Sequence, residues 1–377
     1  MEANSRLVVR APTNGSSPKA NGSASGLTVK AKPAMASFFS GIGGIDLGFE
    51  RAGFRVALQC EIDKYCRSVL HRHWPDLQPH KNIKEMTNAD VPVSEVWAGG
   101  FPCQDVSLAR MGPRAGLRGK KSGLFFEFAR LLEGGLPRVL LIENVAGLLS
   151  SHKGRDFGIV LRTLADLGYG VGWRVLNSRY FGVPQSRQRV YIVGCYRDGR
   201  GPAEILFESE RRQGNDKADG SDGKKTVSPF KEVLGDPLKG PIVPAIAYCL
   251  YACSARHTGT DWSRNYVSYP DGRARRLMPI ECERLQGFPE NWTLPENGEF
   301  GDADRIDTLR YYALGNAVTV PVGEWIAGRV RAYLEKTKIR NAATGAPHSY
   351  AAENNPSVVL AQKFQAPGIW PLARIEG

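Results

Sequence analysis

Short apolar runs alternate with amphipathic segments over residues 36–195, and this alternation predicts strands that are separated by helices. Strands that alternate with helices in this way form a mostly parallel sheet with helices on both faces. The sequence therefore predicts a doubly wound α/β fold. The predicted strands span residues 36–39, 54–60, 93–98, 139–142 and 190–195, and the predicted helices span 45–52, 63–73, 124–132 and 159–167.

Composition divides the rest of the chain into an arm, a surface insertion, a smaller lobe and a tail. Residues 1–33 are rich in Ser, Gly, Asn and Pro and are predicted to form a disordered arm. Residues 208–226 are charged and have few apolar positions, which predicts a flexible surface insertion. Residues 228–291 mix Pro, Gly, Arg and aromatic residues, which is typical of a smaller, irregular lobe. A regular pattern returns at 312–333, and residues 339–377 are expected to form a loosely attached tail.

The charge of the chain favours a polyanionic partner. Fifty Lys and Arg residues against 38 Asp and Glu give a formal net charge of +12, and the basic stretches 107–123 and 172–190 contain no acidic residue. Such stretches suit phosphate contacts, although a solvated surface also accounts for either one alone. We expect a cytoplasmic protein with no membrane association, because no apolar run is long enough to span a bilayer and no secretory signal is present.

A glycine-rich turn, residues 39–44 (FSGIGG), follows the first predicted strand. Glycines let a backbone approach a ligand closely, and the N-terminus of the next helix favours a negative group. The turn lacks the G-x-G-x-x-G spacing of a dinucleotide site. Glu61 follows about 20 residues later, where a carboxylate accepts hydrogen bonds from ribose hydroxyls. Together they predict a site for an adenosine ligand without a pyrophosphate.

Cys103 and Glu143 each follow a predicted strand, at the edge where open α/β sheets place their active sites. Arginines near Cys103 favour a thiolate, and partial burial would raise the pKa of Glu143 towards that of a usable acid. From these residues alone, a buried inert thiol and a capping role for Glu143 remain as alternatives.

Arg187 and Arg189 stand at alternate positions just before the strand at 190–195. On a strand the two guanidinium groups would share one face, which suits a phosphate or a carbonyl oxygen. Two exposed arginines are the plainer alternative.

Two groups of cysteine and histidine residues have spacings that invite a metal assignment. The first group has no fourth ligand nearby, which a structural zinc site needs, and a helix after a strand accounts for the second. Seven cysteines without a repeated spacing also argue against a disulfide framework. We therefore predict no metal site. The groups are Cys249, Cys253 and His257, and Cys60, Cys66, His71 and His73.

Taken in order, six segments resemble the motifs of the DNA (cytosine-5) methyltransferase family, in the form of a bacterial or phage modification enzyme. The resemblance extends over 36–195 and 276–322, somewhat more than half of the chain. Each segment is a weak signal, but six in the right order are specific. The segments are 39–44, 99–107, 143–145, 185–190, 276–289 (RLMPIECERLQGFP) and 313–322 (ALGNAVTVPV).

The resemblance implies a Rossmann-like methyltransferase domain that acts covalently on a flipped-out cytosine. Cys103 matches the nucleophile, which adds to carbon 6 so that carbon 5 can accept a methyl group. Glu143 matches the glutamate that holds ring nitrogen 3. Arg187 and Arg189 match the arginine motif, and we favour Arg189 for the cytosine oxygen. Residues 110–122 would form a mobile loop that closes over DNA.

The cofactor that the resemblance implies is S-adenosylmethionine. Two positions depart from the family pattern. Ser37 stands where an acid is common, and Asn82 stands where an acid approaches the adenine amino group, although an amide can also accept a hydrogen bond there. The implied cofactor-binding residues are Phe39, Gly41, Gly43, Gly44, Glu61, Asn82, Pro102 and Asn316.

Double-stranded DNA is the implied partner, and a monomer is expected, with a cognate restriction endonuclease acting separately where one exists. The catalytic domain is assigned to 34–195 and a target-recognition domain to 196–275, while 276–338 completes the small lobe and returns to the catalytic domain. The target sequence does not follow from the residues. The implied DNA-binding residues are Gln104, Ser107, Arg118, Arg256 and Arg264, with Asn265, Arg273 and Arg275 as further base-pairing candidates.

Parts of the sequence are also compatible with three other functions. A nicotinamide dehydrogenase shares the fold class but needs neither Cys103 nor Glu143. An RNA methyltransferase of the same family has nearly the same motifs, and the long segment 196–275 argues for DNA instead. A DNA-binding protein with an inactive site is disfavoured because every expected catalytic residue type is present.

Overall fold

A seven-stranded sheet organises the part of the chain that the structure describes. The computed structural model describes residues 31–102, 123–208, 233–235, 240–252, 265–296, 299–344 and 360–361. The elements below lie within the compact unit Lys32–Gly377. Within the described residues, no helix has both the length and the apolar character needed to cross a membrane.

The elements are given in chain order. The strands are β1 (Ala34–Phe38), β2 (Arg55–Cys60), β3 (Val96–Gly99), β4 (Val139–Val145), β5 (Tyr169–Asn177), β6 (Gln185–Ser186), β7 (Gln188–Tyr196), β8 (Val233–Leu234), β9 (Val243–Pro244), β10 (Ala247–Tyr248), β11 (Tyr266–Ser268), β12 (Ala274–Arg276) and β13 (Leu360–Ala361). The helices are α1 (Gly44–Arg51), α2 (Lys64–His73), α3 (Leu124–Gly135), α4 (Arg155–Asp166), α5 (Gly201–Leu206), α6 (Pro279–Gln286), α7 (Ala303–Asn316) and α8 (Val320–Thr344). Short 3₁₀ segments cover Ile83–Glu85, Asn88–Asp90, Ala146–Gly154 and Ser178–Tyr180.

The main sheet has the order β13-β5-β7-β4-β3-β1-β2. β1 pairs in parallel with β2 and β3, and β3 pairs in parallel with β4. β7 runs antiparallel between β4 and β5. The predicted mostly parallel α/β fold is confirmed. β5 was not predicted, because its sequence YGVGWRVLN interrupts the apolar positions with two glycines and an arginine.

Successive strand residues point to opposite faces of the sheet, and each face packs under its own helices. Met35 and Leu141 belong to one apolar cluster, with α1, α2, α5 and α8. Ala36 and Leu140 belong to the other cluster, with α3 and α4. Helices therefore cover both faces, as the alternation of elements predicts.

Several predicted boundaries differ from the observed ones. Val93 is 99% exposed and β3 begins only at Val96, so the predicted strand started too early. α8 extends to Thr344, into the segment that we expected to be a tail. α5 lies beyond the predicted catalytic boundary at residue 195, yet its Leu206 is buried in the core beneath α8.

Candidate active site

Several of the predicted site residues that the structure describes follow strands at one carboxyl edge of the sheet. Phe38, the last residue of β1, pairs with Cys60 of β2 on one side and with Gly99 of β3 on the other. Gly99 in turn pairs with Ile142 of β4. β1, β2 and β3 end at this level and β4 continues for three residues, so the segments that follow the first three strands are neighbours of the last residues of β4, Glu143 among them.

The glycine turn alternates left-handed residues along its length. Phe39, Gly41 and Gly43 have φ angles of 56°, 55° and 80°. A Cβ atom on Gly44 would lie 2.4 Å from the Val318 carbonyl oxygen, so packing requires glycine there. A Cβ atom on Gly41 would meet nothing within 4 Å among the described residues. Among the described residues, the turn is therefore packed against the core at Gly44 and has open space beside Gly41.

Glu61 ties the end of β2 to this turn. Its Oε2 accepts a hydrogen bond from the Gly41 amide at 2.8 Å, and its Oε1 accepts one from the Asp63 amide at 2.8 Å. Burial raises the pKa of Glu61, and the two amides oppose that shift. Each carboxylate oxygen keeps a lone pair that can accept a ligand hydroxyl. Ile62 beside it is 71% exposed, an apolar surface that the sequence analysis missed.

A buried carboxyl group lies beneath the turn. Asp46 of α1 is fully buried, and it accepts hydrogen bonds from Ser37 Oγ and Gln59 Nε2, both at 2.9 Å. Burial raises the pKa of Asp46 to about 6. The family pattern commonly has an acid at the position of Ser37. In this chain, Asp46 on the next helix supplies a carboxyl group that is hydrogen-bonded to Ser37. The signal for it was an aspartate between Ile45 and Leu47 on a buried helical face.

Glu143 faces the segment that leads to Cys103. Its Oε1 lies 3.2 Å from Arg189 Nε, and the residue is 8% exposed. A Cβ atom on Gly100 would lie 2.9 Å from Glu143 Oε2, so glycine allows this close approach. Burial raises the pKa of Glu143, and the charges of Arg189 and Arg187 oppose the shift. Asn144 Nδ2 also donates to the Phe101 carbonyl at 3.2 Å.

Arg187 has a different environment from Arg189. It is 1% exposed; its Nη1 donates to the Leu250 carbonyl at 2.9 Å, and its Nη2 donates to the carbonyls of Gly315 at 3.1 Å and Ala317 at 2.8 Å. The alternative of two exposed arginines is therefore wrong. A phosphate or cytosine contact by Arg187 is also inconsistent with so deep a burial. Because Arg187 lies between β6 and β7, simple strand alternation does not describe its position.

The remaining cofactor candidates lie around the same edge. Asn316 is exposed at the end of α7, and its Nδ2 donates to the Tyr312 carbonyl at 3.2 Å. Asn82 uses its amide within its own turn, where Oδ1 accepts from the Lys84 amide at 3.2 Å and Nδ2 donates to Glu85 Oε1 at 2.7 Å. Pro102 is half-buried directly after the buried Phe101.

Two proposed base-pairing candidates are occupied by protein partners. Asn265 pairs its amide with both backbone groups of Tyr248, at 2.7 and 3.0 Å. Arg275 forms a two-pronged ion pair with Glu281 at 2.8 and 2.9 Å. Their assignment to DNA bases is corrected accordingly. Arg273 instead pairs with Asp271, with Nε 2.7 Å from the carboxylate.

Several predictions fall on residues outside those that the structure describes. They include the nucleophile and all five implied DNA contacts. Among the described residues, no group of three or more His, Cys, Asp or Glu side chains is arranged to hold a metal ion. The residues outside are Cys103, Gln104, Ser107, Arg118, Cys253, Arg256, His257 and Arg264, together with the loop 110–122 and the insertion 209–226.

Comparison with known proteins places these features in a family. A family model described as C-5 cytosine-specific DNA methylase matches residues 34–239 and 208–332. The Type II methyltransferase M1.ScrFI of Lactococcus lactis subsp. cremoris is 32% identical over 329 residues, which cover 82% of this chain and 80% of that protein. The Type II methyltransferase M.NgoBI of Neisseria gonorrhoeae is 34% identical over 304 residues, covering 76% and 89%.

Solved structures agree at the level of the fold. The crystal structure of the S. pombe Dnmt2 methyltransferase superimposes with a TM-score of 0.56 at 18% sequence identity, covering 81% of this chain and 99% of that chain. The Entamoeba histolytica methyltransferase EhMeth gives a TM-score of 0.55 at 18% identity, covering 82% and 99%.

Proposed function

Since this chain belongs to the C-5 cytosine-specific DNA methylase family and is a DNA cytosine-5-methyltransferase, we propose that it transfers a methyl group from S-adenosylmethionine to a flipped-out cytosine in a specific double-stranded DNA sequence. The observation that carries the proposal is the Glu143 carboxylate, held by Arg189 and lying directly against Gly100. Gly100 precedes Cys103 by only three residues, so the acid and the nucleophile belong to one site.

The residues at the carboxyl edge fit S-adenosylmethionine. The open space above Gly41 admits a ligand, and the N-terminus of α1 favours its carboxylate. Glu61 is free to accept ribose hydroxyl hydrogen bonds, and the exposed Ile62 offers an apolar surface to the adenine ring. When bound, S-adenosylmethionine supplies a methyl group on a positively charged sulfur. The proposed binding residues are Phe39, Gly41, Gly43, Gly44, Glu61, Asn82, Pro102 and Asn316.

In the proposed reaction, the Cys103 thiolate forms a bond to carbon 6 while Glu143 donates a proton to ring nitrogen 3. Carbon 5 thereby gains the electron density to form a bond to the methyl group while the bond between that methyl group and the donor's sulfur would break, leaving an uncharged thioether. Glu143 then takes its proton back. Loss of the carbon 5 proton to solvent and departure of the Cys103 thiolate restore the aromatic ring.

Arg189 is proposed to contact the cytosine oxygen and to hold Glu143. The raised pKa of Glu143 suits an acid that exchanges one proton with the base. Arg187, by contrast, is proposed as a positioning residue, because it is buried and both of its Nη atoms donate to backbone carbonyls.

DNA recognition is proposed for the segment 196–275, with contacts from Arg256 and Arg264. Gln104, Ser107 and Arg118 are proposed to contact DNA from the catalytic domain. Relatives named as Type II methyltransferases suggest that a restriction endonuclease with the same target acts separately. We further propose that the enzyme acts as a monomer in the cytoplasm.

Bisulfite sequencing of a plasmid propagated with the protein tests activity, substrate and target together. Protected cytosines should recur in one short sequence, and the Cys103→Ser variant should protect none because a hydroxyl is a far poorer nucleophile. The purified wild-type enzyme should also form a covalent adduct with 5-fluorocytosine DNA and cofactor. An adduct of equal yield with Cys103→Ser would remove the nucleophile assignment, and protection of transfer RNA alone would favour the RNA alternative.

A further inference from the structure

The glycine turn receives one side-chain hydrogen bond from a distant part of the chain. Trp292 Nε1 donates to the Ile42 carbonyl at 2.8 Å, and both residues are buried. The next amide, that of Gly43, donates to the Ser40 carbonyl at 2.9 Å. The peptide unit between Ile42 and Gly43 is therefore held at its carbonyl and at its amide.

The orientation of the peptide unit between Ile42 and Gly43 depends on such hydrogen bonds. Gly43 has a φ angle of 80°, and glycine reaches both signs of φ without a steric penalty. Rotation of the unit would turn its carbonyl and its amide to opposite sides and change the shape of the turn around Gly41. Loss of the indole donor would also leave a buried carbonyl without a partner, which is unfavourable.

Trp292 itself has little freedom to move. The amides on either side of it, those of Asn291 and Thr293, donate to the Glu283 carboxylate at 2.7 and 2.9 Å. Glu283 is fully buried, and Arg310 lies 3.0 Å from it as its ionic partner. These contacts fix the backbone that carries the indole.

The indole ring is fixed as well. The His73 ring stacks on it with 3.4 Å between ring centroids and an angle of 4° between planes. His73 Nε2 also lies 2.9 Å from the Trp292 carbonyl. The stacking on His73 and the fixed backbone of Trp292 together orient the indole N–H in one direction.

We propose that Trp292 is a positioning residue that sets the conformation of the glycine turn for S-adenosylmethionine through the Ile42 carbonyl. The inference rests on the proposed function of the turn. It predicts a specific pattern: weaker cofactor binding with unchanged chemistry once the cofactor is bound.

Trp74 provides a matched control. Its indole is also buried, and it touches the same turn, since a Cβ atom on Gly43 would lie 2.6 Å from its ring. Among the described residues, however, the Nε1 of Trp74 has no hydrogen-bond partner. Replacing either indole by phenylalanine removes similar packing, but only the change at Trp292 removes a hydrogen bond to the turn.

The experiment compares Trp292→Phe with Trp74→Phe in the full chain. Cofactor affinity is measured by calorimetry without DNA, and kcat and both KM values are measured on unmethylated plasmid DNA, prepared from a host that lacks the enzyme. We expect Trp292→Phe to raise the cofactor Kd and KM about tenfold, equivalent to about 1.4 kcal/mol. Its kcat at saturating cofactor and its KM for DNA should stay within about twofold, and Trp74→Phe should leave all four constants near wild type.

Should Trp292→Phe not fold, benzothienylalanine introduced at position 292 keeps the ring size and replaces only the N–H by sulfur. An unchanged cofactor Kd in that variant, or equal losses in the Trp292 and Trp74 variants, would overturn the inference. A wild-type enzyme that methylates DNA but binds no S-adenosylmethionine would overturn the proposed cofactor and this inference with it. Tight binding by wild type with no effect at Trp292 would overturn the inference alone.

Discussion

Asp46 makes the pH dependence of stability testable at a single residue. Its pKa is raised from 3.8 to about 6 by burial, with the charge of Glu50 adding a smaller effect. Between these two values the folded protein binds more protons than the unfolded chain. Stability contributed by this group is therefore present at low pH and is lost as the pH rises towards 6. The shift corresponds to about 3 kcal/mol, of which about 2 kcal/mol falls between about pH 4.5 and 7.5.

The substitution Asp46→Asn removes this titration and can keep the site paired. The new amide oxygen can accept from Ser37 Oγ. Its nitrogen can donate to Gln59 Oε1, which has no hydrogen-bond partner among the described residues, after the Gln59 amide rotates. The stability difference between variant and wild type should therefore move in favour of the variant by about 2 kcal/mol as the pH rises across that interval.

Urea unfolding at a series of pH values measures this difference directly. Asp76→Asn, a change at an exposed aspartate, serves as the control and should give a nearly constant difference. If the Asp46→Asn and wild-type stabilities run parallel from about pH 4.5 to 7.5, Asp46 does not titrate there and the reasoning from its burial fails.

Three further predictions concern the catalytic edge and the recognition segment. Glu143→Gln should slow methyl transfer about a hundredfold or more in single-turnover assays while cofactor binding persists; near-wild-type turnover would return Glu143 to a structural role. Arg187→Met should lower the free energy of unfolding, measured in urea, by more than about 3 kcal/mol, because it leaves buried carbonyls without a donor; a small change would show that the contacts are dispensable. Replacing residues 228–275 with the equivalent segment of a relative should transfer that relative's target sequence, as bisulfite sequencing would detect, whereas deleting 209–226 should not change the target.

The features that could be predicted from the sequence are those that depend on where the apolar strands end. Because parallel strands end at one edge, Gly41, Glu61 and Glu143 could be assigned to one site from their positions after apolar runs alone. β5 escaped prediction since its burial arises from packing against β7 and α4, and its own sequence carries no continuous apolar pattern. Asp46 lies between Ile45 and Leu47 on a buried helical face, but its hydrogen bonds to Ser37 and Gln59 depend on tertiary contacts that the local pattern does not encode.

The two arginines show most clearly where sequence reasoning ends. Arg187 and Arg189 are two positions apart and chemically identical, yet one binds carbonyls from distant segments and the other pairs with Glu143. That difference depends on where residues 250 and 315–317 arrive in the fold, which no local pattern encodes. Asn265 and Arg275 were misassigned for the same reason, since their partners are set by tertiary contacts.

The acceptors around Arg187 have an evolutionary consequence. Three of them are main-chain carbonyls, at Leu250 in the recognition segment and at Gly315 and Ala317 after it, and a fourth acceptor is Cys249 Sγ, 3.4 Å from Nη1. A main-chain carbonyl is present whatever the side chain, so mutation of these side chains leaves the three carbonyl acceptors in place. Side chains of the recognition segment can therefore change while the buried Arg187 guanidinium keeps one point of that segment, Leu250, attached to residues 315–317. New DNA specificities could arise by drift or recombination within that segment without a matching change in the catalytic domain.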